Sequence, residues 1–569
     1  AIWVKKGGPA WSAVHGLDSA GYQAKVNAMT SQGYVITIVT ATGPRNNPVF
    51  AAVFEKMAPT AWIARHGLVD GSAGTTGTLD SINQWAKNNN CILKSLAIYG
   101  TGANDRTYAG VWLPNPGQTK WQAHAMGDAN GYHGYFGAYT QVPMRPALVE
   151  SNDGGQYAAL FTDDAIGSWV ARHGLTSAEY QSAFDTFVGQ QNMRPISVQG
   201  GGTGSGIRYS AIFASQEDPM ARQWNQTNTA GANYAGVHAV MKSFMQLRGV
   251  RAGVLAVRKN GTLKLSSGYT WAEPGYAVTQ PDSLFRLASV SKAFACAAIH
   301  RLVVDQGFNL DTKVFHLLGI NKVAVAGQTK DSRIDDITVR QCVQHTGGWD
   351  RGMSGFDPVF AGRLIADKMG VARATKWDVA KYMYGEPLQA APGAANVYSN
   401  FGYVLLGLVV EKVTGQSFYN YLSQKVLTPL GINNAVYVGA TLKSGRRSNE
   451  VTYDHSTVGS SAWTPSSDAL VPAVYGNFLI EAMDTGGGLI ASAPAISTFT
   501  NNYAVWGLGG RAAGSARSGG MAGTASLAVS RGDGIDYCYI FNTSEFPGTG
   551  KTLDDFGKDL GNAIGAAGF

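Results

Sequence analysis

Three short segments carry the residue types of a serine-based acyl transfer: Ser289-Val290-Ser291-Lys292, Tyr398-Ser399-Asn400 and Arg517-Ser518-Gly519. On a helix, Ser289 and Lys292 stand three positions apart and share a face, which brings an amine within reach of a hydroxyl. Lysine can take the serine proton only when it is neutral, and burial beside cationic or hydrogen-bonding groups lowers its pKa towards that condition. Ser-x-x-Lys by itself recurs by chance in long chains, so its surroundings decide its meaning. Here an extended stretch from Asp282 runs into a helical pattern over 293–304. Ser289 is therefore expected at a helix N-terminus, where free N–H groups favour a developing negative charge. In this reading Ser289 attacks a carbonyl, Lys292 and Tyr398 move protons, and Asn400 meets the amide of the substrate. A tyrosine acting as a base needs cations nearby, and Lys292 and Arg517 are the candidates.

The elements that must hold these residues follow from patterning. A chain of 569 residues exceeds one domain, and at least two are expected. Residues 1–228 carry a repeat and 229–569 the chemistry; residues 225–236, polar and glycine-containing, read as the linker. Beyond it, a helix is expected over 234–247. A hairpin follows over 250–269, turning at Lys259-Asn260-Gly261, and then the helix of Ser289. A helical, loop-rich lobe over 305–483, strands over 504–541 and a last helix over 553–564 complete a sheet flanked by helices.

Charged residues make up only 15 %, glycine is abundant at 72 residues, and the net charge is +7. That profile suits a rigid, loop-rich extracellular protein. No dense basic cluster or nucleic-acid motif is present, and the longest apolar run, over 403–410, is too short to cross a bilayer; neither a nucleic-acid nor a membrane partner is expected. The first residue is Ala1 rather than Met, which suggests processing. Asn225, Asn260 and Asn542 begin Asn-x-Ser/Thr triplets and are candidate glycosylation sites. Cys91, Cys296, Cys342 and Cys538 lack metal-ligand spacing, so no metal and no cofactor are expected. A Cys296–Cys342 disulfide and four buried thiols are both open.

The segments around Ser289, Tyr398 and Arg517 together resemble the serine β-lactamase and penicillin-binding superfamily, in its class C-like branch. The resemblance continues through His345-Thr346-Gly347-Gly348, Ala391-Pro392-Gly393, Pro429-Leu430-Gly431 and Gly486-Gly487-Gly488, and covers about residues 236–569. It implies an active site between a sheet domain and a helical lobe, with the backbone amides of Ser289 and Gly520 as the oxyanion hole. It also implies that Arg517, Ser518 and Gly519 contact the substrate. Arg517 departs from the pattern, which has Lys or, in esterase-like members, His there. Arginine can anchor a carbonyl or carboxylate but does not shuttle protons. His345 is expected to serve structure through hydrogen bonds.

Residues 1–228 repeat a unit of about 50 residues. Trp-x-x-x-His-Gly-Leu recurs at Trp11, Trp62 and Trp169, with a degenerate copy at Trp121, and each copy is followed by a strand-like echo: 50–54, 108–112, 157–161 and 209–213. The unit reads as a Trp/His turn, an amphipathic helix such as 177–190 and a β-hairpin, with the tryptophans in the core and the histidines capping turns. Ala1-Ile2-Trp3 resembles the tail of one more strand, which leaves a closed ring and an open array both compatible. The fold class is thus α/β in two domains: an α+β tandem-repeat domain of about four units, then a class C β-lactamase-like domain.

Repeats of this kind ahead of a class C-like domain resemble the secreted fungal polyglycine hydrolases, or chitinase-modifying proteins. That resemblance implies a secreted, monomeric serine endopeptidase whose partner and substrate is plant class IV chitinase, cut between glycines of its polyglycine linker. A β-lactamase-like esterase or D-amino-peptide hydrolase, and a binding or sensing protein that is acylated without turnover, are the alternatives.

Overall fold

A computed structural model describes Ile2 and residues 7–71 and 75–569. The chain forms two compact units. The first runs up to Arg222 and includes Leu247–Gly249 and Phe546–Thr552; the second comprises Gln223–Gln246, Val250–Glu545 and Leu553–Phe569. The boundary therefore precedes the expected 228/229. The expected linker is instead a strand, Gln223–Ala230, in the sheet of the second unit.

The first unit contains four repeats, each of strand, helix, strand and strand. They are β1 (Trp11–Leu17), α1 (Ser19–Ser31), β2 (Tyr34–Thr42) and β3 (Val49–Lys56); β4 (Ile63–Leu68), α2 (Leu79–Asn88), β5 (Cys91–Tyr99) and β6 (Thr107–Pro114); β7 (Trp121–Met126), α3 (Ala129–Tyr139), β8 (Arg145–Ser151) and β9 (Tyr157–Thr162); and β10 (Trp169–Leu175), α4 (Ser177–Phe184), β11 (Arg194–Gly201) and β12 (Arg208–Ala214). In each antiparallel sheet the last strand lies in the middle. These central strands supply the fully buried Phe50, Trp112, Phe161 and Phe213. Asp18, Thr78, Asp128 and Thr176 cap the four helices by accepting a backbone N–H. The last helix continues from Asp185 to Gln190 as a π-helical turn.

The Trp-x-x-x-His-Gly-Leu segment is an edge strand, not a turn. Its register shifts between Val14 and Leu17, Arg65 and Leu68, and Arg172 and Leu175. The glycine within each shift takes a positive φ: 72° at Gly16, 71° at Gly67 and 66° at Gly174. A β-bulge with glycine in the left-handed region accounts for the motif. The degenerate copy has Ala125 in place of that glycine, and β7 pairs with β9 without a shift. Of the repeat tryptophans only Trp121 is fully in the core, donating through its indole N–H to Cys91 O at 3.1 Å; Trp62 and Trp169 are half-buried and Trp11 is exposed. Ala1 and Trp3 of the additional strand expected at the start lie outside the described residues.

The second unit is built on a six-stranded antiparallel sheet of β13 (Gln223–Ala230), β14 (Ala252–Lys259), β15 (Thr262–Ala272), β16 (Ser515–Met521), β17 (Thr524–Ser530) and β18 (Ile535–Phe541), in the order β13-β15-β14-β18-β17-β16. Five longer helices matter here: α5 (Ala235–Leu247), α6 (Ser291–Gln306), α7 (Asn400–Thr414), α8 (Ala493–Thr500) and α9 (Leu553–Ala566). Phe244 of α5 stacks on Phe556 of α9 and Phe541 of β18, while α8 packs on β14 and β18. Residues 400–410 of α7 are all buried, which is why that helix reads as an almost unbroken apolar run. No helix among the described residues is long and apolar enough to cross a membrane.

All four cysteines are buried free thiols, so the open Cys296–Cys342 disulfide is absent. Cys296 Sγ lies 3.3 Å from Tyr403 Oη instead. Asn225 is exposed on β13, and Asn260 is exposed at φ 48° in the β14–β15 turn. Asn542 is fully buried: its Nδ2 donates to Thr452 O at 2.9 Å and Tyr276 Oη at 3.2 Å, and its Oδ1 accepts from Ala252 N–H at 3.1 Å. A side-chain amide so engaged cannot carry a glycan in the folded chain, and Asn542 is withdrawn as a glycosylation site.

Candidate active site

Ser289 sits on a 3₁₀ turn, Ala288–Val290, that leads into α6. Ala288 takes φ 45°, a costly conformation for a residue with a Cβ, held by the buried short strand Phe285–Arg286 before it and the helix after it. Lys292, fully buried and the second residue of α6, places Nζ 3.1 Å from Ser289 Oγ and donates to Gly486 O. Tyr398 reaches the nucleophile from the loop before α7 and donates to Ser289 Oγ at 2.6 Å. Asn400, the first residue of α7, donates from Nδ2 to Asp357 Oδ2 at 2.7 Å.

Burial above all, and then the positive charge of Arg517, hold the Lys292 amine well below the ordinary lysine range, while Asp357 opposes the shift. Tyr398 moves the other way: burial raises its phenol above the ordinary value, against the hydrogen bond to Ser289 and the charges of Arg517 and Arg351. Burial thus works against the charged form of both groups, the ammonium of Lys292 and the phenolate of Tyr398. His345, at φ 58°, accepts from Ser399 N–H at 3.1 Å and stacks on Tyr398 and Tyr403 at 4.6 and 5.0 Å between centroids. Burial first, and then the charge of Arg517, press it down to about 4, so it is a neutral spacer that fixes the tyrosine rings.

The resemblance implied that Arg517, Ser518 and Gly519 contact the substrate; their placement differs. Arg517 is buried behind the nucleophile: Nε donates to Val505 O at 2.6 Å, Nη1 donates to the Ser289 carbonyl at 3.4 Å, and the guanidinium lies 3.7 Å from the centroid of the Trp506 ring. It lines neither cavity of the site. Strand alternation turns Arg517, Gly519 and Met521 inward and Ser518 and Gly520 outward. A Cβ on Gly519 would come within 2.2 Å of Leu287 O and 3.0 Å of Ser289 N, so this glycine lets β16 press against the nucleophile turn. Gly520 lines the cavity at Ser289, and Ser518 lies on the exposed side of β16.

That cavity is small, about 70 Å³, and is walled by Ala288, Ser289, Tyr398, Met483, Gly487 and Gly520 among others. A second, of about 340 Å³, shares Arg351, Tyr398 and Asn400 with it and extends past Trp349, Phe356 and Asp357. Sequence reasoning missed Arg351 and Asp357, which form an ion pair at 2.9 Å, with the Arg351 guanidinium 5.6 Å from the Tyr398 ring centroid. No short motif marks them; the only signal was two charges shortly after His345-Thr346-Gly347-Gly348. Trp506 was missed too. Among the described residues no cluster of His, Cys, Asp or Glu suits a metal ion.

A buried lysine beside a helix-start serine, facing a tyrosine and framed by an antiparallel sheet, defines the class, and the family comparison agrees. The family model described as Beta-lactamase matches residues 237–566, more than half of the chain, and the chain belongs to that family. A second model, described as a polyglycine hydrolase-like structural repeat, matches residues 8–57 and 166–216, the first and last repeats. Similar proteins include Protein flp of Staphylococcus aureus strain COL, 26 % identical over 209 residues, or 37 % of this chain and 39 % of that protein. The probable fimbrial assembly protein FimD, serogroup H1, of Dichelobacter nodosus is 29 % identical over 187 residues, 32 % of this chain and 42 % of that protein. The chain thus spans about two fifths of the length of the curated relatives it matches. Among solved structures, D-amino acid amidase from Ochrobactrum anthropi SV3 in complex with L-phenylalanine amide is 18 % identical, covering 58 % of this chain and 98 % of that one, with a TM-score of 0.43.

Proposed function

We propose that this chain is a secreted serine endopeptidase that cuts glycine–glycine bonds, with the polyglycine linker of plant class IV chitinases as its substrate. The observation that carries the hydrolytic part is Lys292, buried, held by Gly486 O and 3.1 Å from Ser289 Oγ. With its amine neutral, Lys292 takes the proton as Ser289 Oγ attacks the carbonyl carbon. Tyr398, hydrogen-bonded to the same oxygen before attack, gives its proton to the leaving nitrogen, and the proton held by Lys292 then returns to the phenolate. The Ser289 and Gly520 amides receive the oxyanion, a role in which one donor is worth about 100- to 1,000-fold in rate. Asn400, its Nδ2 bound to Asp357, keeps Oδ1 for a substrate N–H. Water then hydrolyses the acyl-enzyme.

Two observations support glycine. The cavity at Ser289 is the smaller of the two at the site, and Gly486, Gly487 and Gly520 are among the residues that wall it. The first and last repeats match a model whose description names polyglycine hydrolases.

The test is mass spectrometry of folded class IV chitinase incubated with the wild-type protein and, in parallel, with Ser289→Ala. Fragments ending between glycines with the wild type alone are expected. An uncut linker with turnover of small esters or D-amino-peptides would replace the substrate and keep the chemistry. Stoichiometric acylation without product would make the chain a sensor, and cleavage by both proteins would remove Ser289 from the mechanism.

A further inference from the structure

The first unit contains a groove of about 990 Å³ at the seam of its first two repeats, between α1 and the edge strand β4. Its walls combine the half-buried indoles of Trp62 and Trp85 with the polar ends of Gln23, Asn27, Thr30 and Arg65. No carboxylate lines it, and Arg65 is its one charge, since burial holds His66 towards the neutral form. Tyr22, only 2 % exposed, also lines the groove, and its hydroxyl is buried without a hydrogen-bond partner. Gln23 Nε2 donates to Asn27 Oδ1 at 2.9 Å, which leaves one carboxamide oxygen and one NH₂ free in a fixed relation.

The seam of the third and fourth repeats is an internal control. Counted from the helix starts, Tyr132, His133, Phe136 and Gly137 of α3 stand where α1 has Tyr22, Gln23, Val26 and Asn27, and Trp169 and His173 stand where Trp62 and His66 do. The edge-on contact of tyrosine and histidine recurs, at 5.1 Å for Tyr22–His66 and 4.8 Å for Tyr132–His173. There, however, His133 Nε2 bonds His173 Nε2 at 2.8 Å and Phe136 packs against Trp169. At these two positions the later seam has rings that meet their neighbours across it, His133 and Phe136, where the earlier one has a carboxamide and a valine.

We propose that the seam of the first two repeats is a binding site for a neutral oligosaccharide, with pyranose faces on Trp62 and Trp85 and sugar hydroxyls on Gln23 and Asn27. Indoles offer flat apolar area at small entropic cost, and carboxamides and hydroxyls both donate and accept as sugar hydroxyls do. The site is separate from the reaction at Ser289 and stands whether or not the proposed substrate is right.

The test uses the full chain carrying Ser289→Ala and a panel of probes: the hexamers of β-1,4-linked glucose, xylose, mannose and N-acetylglucosamine, and hexaglycine. Tryptophan fluorescence and calorimetry report binding. At least one saccharide should bind, and Gln23→Ala with Asn27→Ala, on the exposed face of α1, should weaken it roughly tenfold with an unchanged circular dichroism spectrum. Trp62→Ala should abolish it. Binding of none of the saccharides, saccharide binding that survives both sets of changes, or hexaglycine occupying the groove in their place would overturn the proposal.

Discussion

Three arginines are fully buried in the second unit, and two of them, Arg251 and Arg517, are treated in opposite ways. Arg251 pairs with Glu273 at 3.0 Å and Asp454 at 2.9 Å, so its charge is neutralised on the spot. Arg517 has no ion pair among the described residues; it has two backbone carbonyls, the face of Trp506, and an Nη2 without a partner. Burying a charge without a counter-ion is expensive, and such expense is concentrated where a field is used. The first arginine ties β14 to distant loops. The second projects its charge onto Lys292, His345 and Tyr398, and in each case that charge favours the less protonated form.

Five substitutions sharpen or break this contrast. Arg251→Met strands two buried carboxylates and should cost about 3–5 kcal/mol in urea denaturation, with no change in the pH profile of the remaining activity. Lys292→Ala should lower kcat by about 100- to 10,000-fold, the usual worth of a positioned base, with stability unchanged or improved. Arg517→Met should leave stability unchanged or higher, because an unpaired charge is removed. Its pH–rate profile carries the sign: activity requires neutral Lys292 and falls as pH drops through the lysine pKa, so loss of the Arg517 charge should move the acid limb to higher pH, and Arg517→Lys should restore it. An acid limb that stays in place would refute the role given to Arg517. Trp506→Ala admits water to the guanidinium and should move the same limb in the same direction by less.

The site was legible where chemistry imposes spacing. A serine and lysine three apart on a helix, and a tyrosine and asparagine two apart at the start of another, are constrained by their own backbone, and they converge as expected. The position of Arg517 was legible but its use was not, because strand alternation, which turns its side chain inward, depends on where β16 begins. Arg351 and Asp357 reach the site by tertiary packing alone. In the first unit the repeat and its period were plain, yet the edge strand was mistaken for a turn: glycine in a bulge and glycine in a turn satisfy the same φ requirement, and only pairing partners separate them. Residues 225–236 misled for a related reason. Polar side chains on an edge strand have the composition of a linker.

Asn542 has a consequence for biogenesis. Its side chain is an internal fastener between the end of β18, the start of β14 and the Thr452 loop, yet it also begins an acceptor triplet. In any compartment that transfers glycans to nascent chains, modification and closure of the sheet compete for the same amide nitrogen. A molecule modified first cannot complete its sheet, so the yield of active protein from such a compartment is set by a race, and Asn542→Asp would remove the hazard at the expense of the fastener.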